Sequence, residues 1–176
     1  MSGKTKTNLK NKLKKIKILL TDVDGVLTDE GMYYTEEGLT MKKFNVKDGM
    51  GAHLLHDEGF ILGLISSDNS LIAKTRGERL LFDYTIVGTY AKLEAAKKIC
   101  SERNLTLENV AFIGDDVNDL ELLASVGFSA APKNSVQKVK NLVDYVCVKK
   151  GGEGAYREIA EMILAANKKS NVSRRV

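Results

Sequence analysis

The sequence predicts an α/β fold, a Rossmann-like doubly wound and mostly parallel sheet with one protruding β-hairpin, and three observations predict it. Apolar runs at 16–20, 60–65 and 110–113 each lead into a polar or acidic cluster. The segments between such runs carry apolar residues at helical spacing, as Leu93, Ala96, Ile99 and Cys100 do. Residues 32–35 and 39–44 read as two short strands around the glycine-containing turn Glu36-Glu37-Gly38. Strands alternating with helices imply a parallel sheet covered on both faces, whose ligands bind beyond the carboxyl ends of the strands.

Each element follows in order. The run 16–20 is the first strand and 32–44 the hairpin, placed where a lid can sit. Asp48 is a plausible N-cap for the next helix, with Leu54 and Leu55 on its buried side and Gly59 past its end. His53 and His56 lie at i, i+3 there; no third ligand is evident, and ordinary helix-surface histidines are the simpler reading. Strand 60–65 leads through Ser66-Ser67-Asp68-Asn69 into a helix over 70–80, and a second helix spans 92–103. Strand 110–113 is followed by a helix carrying Leu120, Leu123 and Ala124 and closed by Gly127. Strand 128–131, a helix over 135–142 and a strand over 145–148 come next. Gly151-Gly152-Glu153-Gly154 reads as a flexible link to a last amphipathic helix with Ile159, Met162 and Ile163.

Length and composition fit a single domain over 16–167: 176 residues, 43% of them hydrophobic, suffice for one core. The formal charge of +4 is concentrated at the ends, in Lys4, Lys6, Lys10, Lys12, Lys14, Lys15 and Lys17 and in Lys168, Lys169, Arg174 and Arg175. The leader over 1–15 is therefore expected to be disordered and the tail from 168 flexible. No aromatic-studded basic face accompanies the charge, which argues against a nucleic-acid partner. Cys100 and Cys147 fall in apolar patterns and read as reduced core thiols. No apolar stretch approaches membrane-spanning length and no signal peptide is evident, so the expectation is a cytoplasmic protein without a membrane partner.

The chemistry centres on Asp22-Val23-Asp24-Gly25, directly after the first strand. Two carboxylates one residue apart at a sheet edge are costly unless a cation shares the charge. Asp-x-Asp-Gly alone also occurs in calcium loops and plain turns. Ser66 alone reads as a cap, Lys92 as a solvated lysine and Asp119 as a surface acid. Together, however, acid pair, hydroxyl, lysine and the cluster Gly114-Asp115-Asp116-Val117-Asn118-Asp119 match a phosphate site holding Mg²⁺. Asp22, the backbone carbonyl of Asp24, and Asp115 supply hard oxygen ligands. Asp22 would be the nucleophile and Asp24 the general acid and base, with Ser66 and Lys92 binding the phosphoryl oxygens. Asp119 would orient Lys92, and Asp116 would hold a metal-bound water. Lys92 stands in the first turn of its helix, where the dipole disfavours a cation, which favours a functional role.

These four motifs resemble those of the haloacid dehalogenase superfamily phosphatases. More closely, 22–29, Phe44-Asn45-Val46-Lys47-Asp48-Gly49-Met50-Gly51 and the segment 151–158 resemble the 3-deoxy-manno-octulosonate 8-phosphate phosphatase family. That resemblance implies a capless Mg²⁺ enzyme of sugar-acid biosynthesis, hydrolysing its ester through an aspartyl-phosphate. Spacing agrees independently, since the 41 residues between Asp24 and Ser66 and the 25 between Ser66 and Lys92 leave no room for a cap domain. The resemblance also implies a homotetramer built through the hairpins, with a neighbour's C-terminal tail closing each site. Residues 32–44 and 151–157 are the candidates for those roles. Where that family typically has Thr-Gly-Arg after the third strand, this chain has Ser66-Ser67-Asp68, and an acid there is similar to the nonulosonate 9-phosphate relatives (KDN and N-acetylneuraminate type), which carry a basic residue about where Arg79 falls. The expected substrate is thus a keto-deoxy sugar acid phosphate of either kind, with Lys47, Asp68 and Arg79 as substrate contacts. Two other classes compete: a phosphoacceptor signalling domain, which lacks an acid two residues after the acceptor, and a non-enzymatic oligomeric scaffold.

Overall fold

Strand β1 (Ile18–Thr21) lies near the middle of a six-stranded sheet and is buried along its whole length. That is why the strand reads as an unbroken apolar run rather than an alternating one. The structure, a computed structural model, describes residues 3–168. Helix α1 (Gly3–Lys15) precedes β1, and the hairpin β2 (Thr28–Thr35) and β3 (Gly38–Phe44) follows it. Then come α2 (Val46–Asp57), β4 (Ile61–Ile65), α3 (Leu71–Arg79), β5 (Tyr84–Ile86) and α4 (Lys92–Glu102). The chain ends with β6 (Val110–Ile113), α5 (Leu120–Ser125), β7 (Phe128–Ala131), α6 (Gln137–Lys140), β8 (Tyr145–Val146) and α7 (Ala155–Asn167).

The sheet runs β5-β4-β1-β6-β7-β8 with every pairing parallel, while β2 and β3 pair antiparallel outside it. The strand order reverses at β1, whose neighbours β4 and β6 sit on opposite sides. A crevice opens at the carboxyl ends of such a triplet. Side chains alternate across the sheet. Leu19, Leu62, Leu64, Ala111 and Ile113 pack with Leu55 of α2, Ala73 of α3 and Tyr156, Ile159 and Ile163 of α7. Ile18, Leu20, Ile65, Val110 and Phe112 pack with Leu93, Ala96 and Ile99 of α4, Leu122 and Leu123 of α5 and Val139 of α6. The doubly wound α/β fold is therefore observed, and His53, His56, Cys100 and Cys147 are plain surface histidines and buried free thiols.

Several expectations need correction. Of the leader expected to be disordered, residues 3–15 form the helix α1, with Leu13 buried against α7 and the Asn167 amide donating to the Leu13 carbonyl at 3.0 Å; residues 1–2 lie outside the described residues. Leu9, Leu13 and Ile16 form an apolar stripe that the lysine count hides. Helix α2 is capped by Asn45, whose side chain accepts from Lys47 N at 2.8 Å; Asp48 sits one turn later, buried, accepting from Arg157 N at 2.9 Å. Strand β5, between α3 and α4, escaped the sequence reading because three residues carry too little pattern. The helix expected over 135–142 contracts to α6 and the strand over 145–148 to β8.

The glycine link is also not flexible. Gly151 and Gly152 are buried, and a Cβ on Gly151 would stand 1.9 Å from the Gly25 carbonyl oxygen. Gly152 N donates to Val26 O at 3.0 Å, so this segment is packed under the loop that carries Asp24. Helix α7 then buries Tyr156, Ile159 and Ile163 completely. Residues 151–157 thus pack on their own chain rather than hanging from it as a flexible link. The tail expected from 168 lies outside the described residues, apart from Lys168 at the end of α7.

Candidate active site

Three strands of the central triplet deliver the predicted residues to one place. Asp22 follows β1, Ser66 follows β4 and Asp115 follows β6 by one glycine. Parallel register holds them level, with Thr21 opposite both Leu64 and Ile113. A cleft of about 170 Å³ there is lined by Asp22, Asp24, Gly25, Glu30, Ser66, Ser67, Asp115, Asp116 and Asn118.

Beneath it, Lys92 is 1% exposed and bridges two carboxylates, at 2.7 Å to Asp22 Oδ2 and 2.6 Å to Asp119 Oδ1. The position at the start of α4, unfavourable for a cation by the helix dipole, is held by these charges. Asp119 Oδ2 accepts from the backbone N–H of Asp115 at 2.9 Å and of Asp116 at 3.4 Å. Asp119 therefore ties Lys92 to the loop after β6. Asp22 Oδ1 accepts from Val23 N at 2.7 Å. Ser66 is buried, and its hydroxyl oxygen accepts from Asp68 N at 3.2 Å.

Burial, and after it the Asp119 charge, push Asp22 up to about 7 despite the opposing pull of Lys92. Asp115 is pushed up to about 8, by burial first and then by Asp22, Asp119, Asp116 and Glu30. For Lys92, burial opposes the ammonium charge, but Asp22 and Asp119 outweigh it and hold the pKa above the ordinary lysine value. The cation is thus firmly charged, and the carboxylates are the groups in excess.

That excess fits a metal. Ligand atoms of Asp22, Asp115 and Asp119 lie within 4.8 Å of one another. Both Asp119 oxygens are engaged, by Lys92 and by two backbone N–H groups, and Asp119 does not line the cleft, whereas Asp22 and Asp115 do and are the candidate ligands. Neither Asp115 carboxylate oxygen has a hydrogen-bond partner among the described residues. Gly25 makes room for it: its φ is +76°, and a Cβ there would stand 2.1 Å from Asp115 Oδ2.

The remaining predicted residues are more scattered. Asp116 is exposed at the rim and accepts from Val117 N at 2.6 Å as the cap of a short 3-10 turn. Asp68 does not face the cleft as a free acid, because Lys42 binds it at 2.5 Å. Lys47 lines a separate groove with Val46, Met50, Val148 and Arg157, and Arg79 lines another between β3 and α3. The structure does not bring either of them to the cleft of its own chain.

Lys42 was missed by sequence reasoning. Its Nζ also lies 2.7 Å from Asp24 Oδ2, and its side chain is 0% exposed. A signal existed: Lys42 and Lys43 are adjacent on a strand, so they point to opposite faces and one of them must turn inward. Glu30 was missed too. It lines the cleft from a left-handed backbone conformation (φ 70°) and accepts a hydrogen bond from the Asn134 amide.

Comparison with known proteins gives the family. A family model described as haloacid dehalogenase-like hydrolase matches residues 65–159. The 3-deoxy-D-manno-octulosonate 8-phosphate phosphatase KdsC of Haemophilus influenzae is 38% identical over 164 residues, 93% of this chain and 91% of that one. The cobalt-bound deoxy-D-mannose-octulosonate 8-phosphate phosphatase (YrbI) of Haemophilus influenzae is 38% identical and superposes with a TM-score of 0.87, covering 93% of this chain and 96% of that chain. The Moraxella catarrhalis 3-deoxy-D-manno-octulosonate 8-phosphate phosphatase, solved with magnesium, phosphate and KDO, has a TM-score of 0.88 at 35% identity over 91% of this chain and 92% of that one. The chain belongs to the haloacid dehalogenase-like hydrolases and, among them, to the family of 3-deoxy-D-manno-octulosonate 8-phosphate phosphatases.

Proposed function

We propose that the chain is a Mg²⁺-dependent phosphatase of a keto-deoxy sugar acid phosphate, with 3-deoxy-D-manno-octulosonate 8-phosphate as the first candidate and a nonulosonate 9-phosphate as the second. The observation that carries this reading is Asp22, paired with buried Lys92 and converging with Asp115 at the mouth of the strand triplet. The names of the relatives support the substrate class.

Asp22 and Asp115, with the Asp24 backbone carbonyl, would hold the metal. When bound, it neutralises charge on the phosphate and on the two carboxylates. An Asp22 carboxylate oxygen attacks phosphorus, and the bond from phosphorus to the sugar oxygen breaks. Asp24 gives its proton to that leaving oxygen, which departs as an alcohol. Asp24, now a carboxylate, takes a proton from water; the water oxygen bonds to phosphorus, and the phosphorus bond to Asp22 breaks to release inorganic phosphate. Lys92 and the Ser66 hydroxyl serve the phosphoryl oxygens, where negative charge is greatest.

In this reading Asp68 shapes substrate choice near the cleft, while Lys47 and Arg79 reach a substrate only from a neighbouring copy in a homotetramer. Exposed Met32, Tyr33, Tyr34 and Met41 on the hairpin support such an assembly. Sedimentation of the pure protein checks it: a monomer removes both the tetramer and those two contacts.

The test of function is Mg²⁺-dependent phosphate release from octulosonate 8-phosphate, a nonulosonate 9-phosphate and unrelated sugar phosphates side by side. Preference for one keto acid fixes the substrate. Stoichiometric labelling of Asp22 without sustained release would favour the phosphoacceptor class instead, and uniformly feeble release would defeat the sugar-acid assignment.

A further inference from the structure

The pair Lys42 and Lys43 on β3 divides between two environments. Lys43 lies in the open, 62% exposed, on Asp29, whereas Lys42 is withdrawn completely from solvent. A buried ammonium group is costly unless it is paired and hydrogen-bonded. Here two carboxylates pair it, Asp24 Oδ2 at 2.7 Å and Asp68 Oδ2 at 2.5 Å. Lys42 does not line the cleft itself.

What the contact does is set the direction of Asp24. The other contact of the Asp24 carboxylate is a long one, 3.5 Å from the Thr28 hydroxyl to Oδ1. Asp68, for its part, is fixed to the loop after β4: its Oδ1 accepts from Ser70 N at 3.2 Å, and its backbone N–H donates to Ser66 Oγ at 3.2 Å. Lys42 thus joins the hairpin, the loop after β1 and the loop after β4 at a single nitrogen. Without it, Asp24 and Asp68 would face each other as two like charges, each partly exposed and free to swing toward water.

We propose that Lys42 is the positioning residue for the acid/base group Asp24, fixing its Oδ2 so that Oδ1 delivers the proton to the leaving oxygen and later takes one from water. Lys42 keeps its own protons throughout. The inference rests on the phosphatase reading above, and it assigns to the hairpin a part in chemistry within its own chain.

The test separates the two proton transfers. A p-nitrophenyl ester leaves without needing a proton, whereas a sugar phosphate needs one. Rapid-quench labelling of Asp22 with both esters should show that Lys42→Met phosphorylates normally from the aryl ester, within about threefold of wild type. Labelling from the sugar phosphate should slow by about 10- to 100-fold, part of the usual 10²–10⁴ worth of general acid catalysis. Steady-state turnover should fall with both esters, because water activation also needs Asp24; with the aryl ester kcat and KM should fall together and leave kcat/KM within about threefold, whereas with the sugar phosphate kcat/KM itself should fall. Lys42→Arg, which retains a cation and several donors, should recover about tenfold of the loss. Should Lys42→Met fail to fold, Lys42→Gln is read in the same way. Equal slowing of labelling with both esters, a change confined to KM, or no change overturns the inference while leaving the phosphatase reading intact. A wild-type chain that labels with neither ester overturns that reading, and the inference with it.

Discussion

Asp115→Asn should make the metal-free protein more stable and abolish its response to Mg²⁺. Asp115 is half-buried, without a hydrogen bond to its carboxylate, and shares its surroundings with Asp22 and Asp119. Its pKa rises from the usual 3.8 to about 8, so the group favours the folded state fully below 3.8 and loses that contribution as pH climbs through about 8. At about 1.4 kcal/mol per pH unit the span gives a ceiling near 6 kcal/mol. Water access and the neighbouring Lys92 reduce it: one pair of unit charges 4.8 Å apart repels by about 3 kcal/mol at an effective dielectric of about 20. Removing one charge should therefore stabilise the apo protein by about 3 kcal/mol, or about 6–12 °C for a chain of this size. The assay is thermal melting at pH 8.5, first in EDTA and then across a Mg²⁺ titration. Wild type should gain about 2.7 kcal/mol at one hundred times its Kd and so nearly close the gap, while the variant should not move. A variant that melts at or below wild type in EDTA, or that keeps the full Mg²⁺ shift, would refute the reasoning.

Two further predictions concern the support of the site. Lys92→Met leaves Asp22 and Asp119 buried without a cation, a loss of about 3–5 kcal/mol; melting with Mg²⁺ present should drop accordingly, and an unchanged melting temperature would show that the pair contributes nothing. Truncation after Lys150 removes Tyr156, Ile159 and Ile163, three fully buried side chains, each worth about 2–5 kcal/mol against a total stability of about 5–15 kcal/mol. Circular dichroism should show an unfolded chain, and a cooperative transition in the truncated protein would return 151–157 to the role of a detachable cover.

How much of this could be read in the sequence depended on whether a residue's signal was local. Strands β1 and β6 are buried along their whole length, and burial on both faces writes itself as a near-continuous apolar run. Because such strands end together, Asp22, Ser66 and Asp115 could be placed in one crevice before any coordinates, and Lys92 and Asp119 followed from their types and order. The misreadings came from features decided elsewhere in the chain. The stripe of α1 is obscured in the sequence by the lysines that stand between its apolar positions. Gly151 and Gly152 look flexible by composition, yet the carbonyl of Gly25, far away in sequence, leaves no space for a side chain. Lys42 required the facing of a strand pair whose register is irregular between Thr28 and Met32. Lys47 and Arg79 lie near the cleft only in sequence pattern, because α2 and α3 turn them toward other grooves.

The charges around the cleft bear on the order in which it must fill. Asp22, Asp24, Asp68, Asp115, Asp116, Asp119 and Glu30 gather there, and Lys42 and Lys92 are the ammonium groups bound among them. A phosphate dianion approaching that set meets repulsion that Lys92, already shared by two carboxylates, cannot cancel. Asp22 faces the same deficit from the other side. Burial and the Asp119 charge raise its pKa and so disfavour the anion, and a protonated carboxyl does not attack phosphorus. Whatever lowers the cost of the anion on Asp22 therefore also lowers the barrier to phosphate entry. A divalent cation held by Asp22 and Asp115, as proposed above, would satisfy both demands at once, which argues that cation precedes ester in the cleft and that the burial of these carboxylates is the reason.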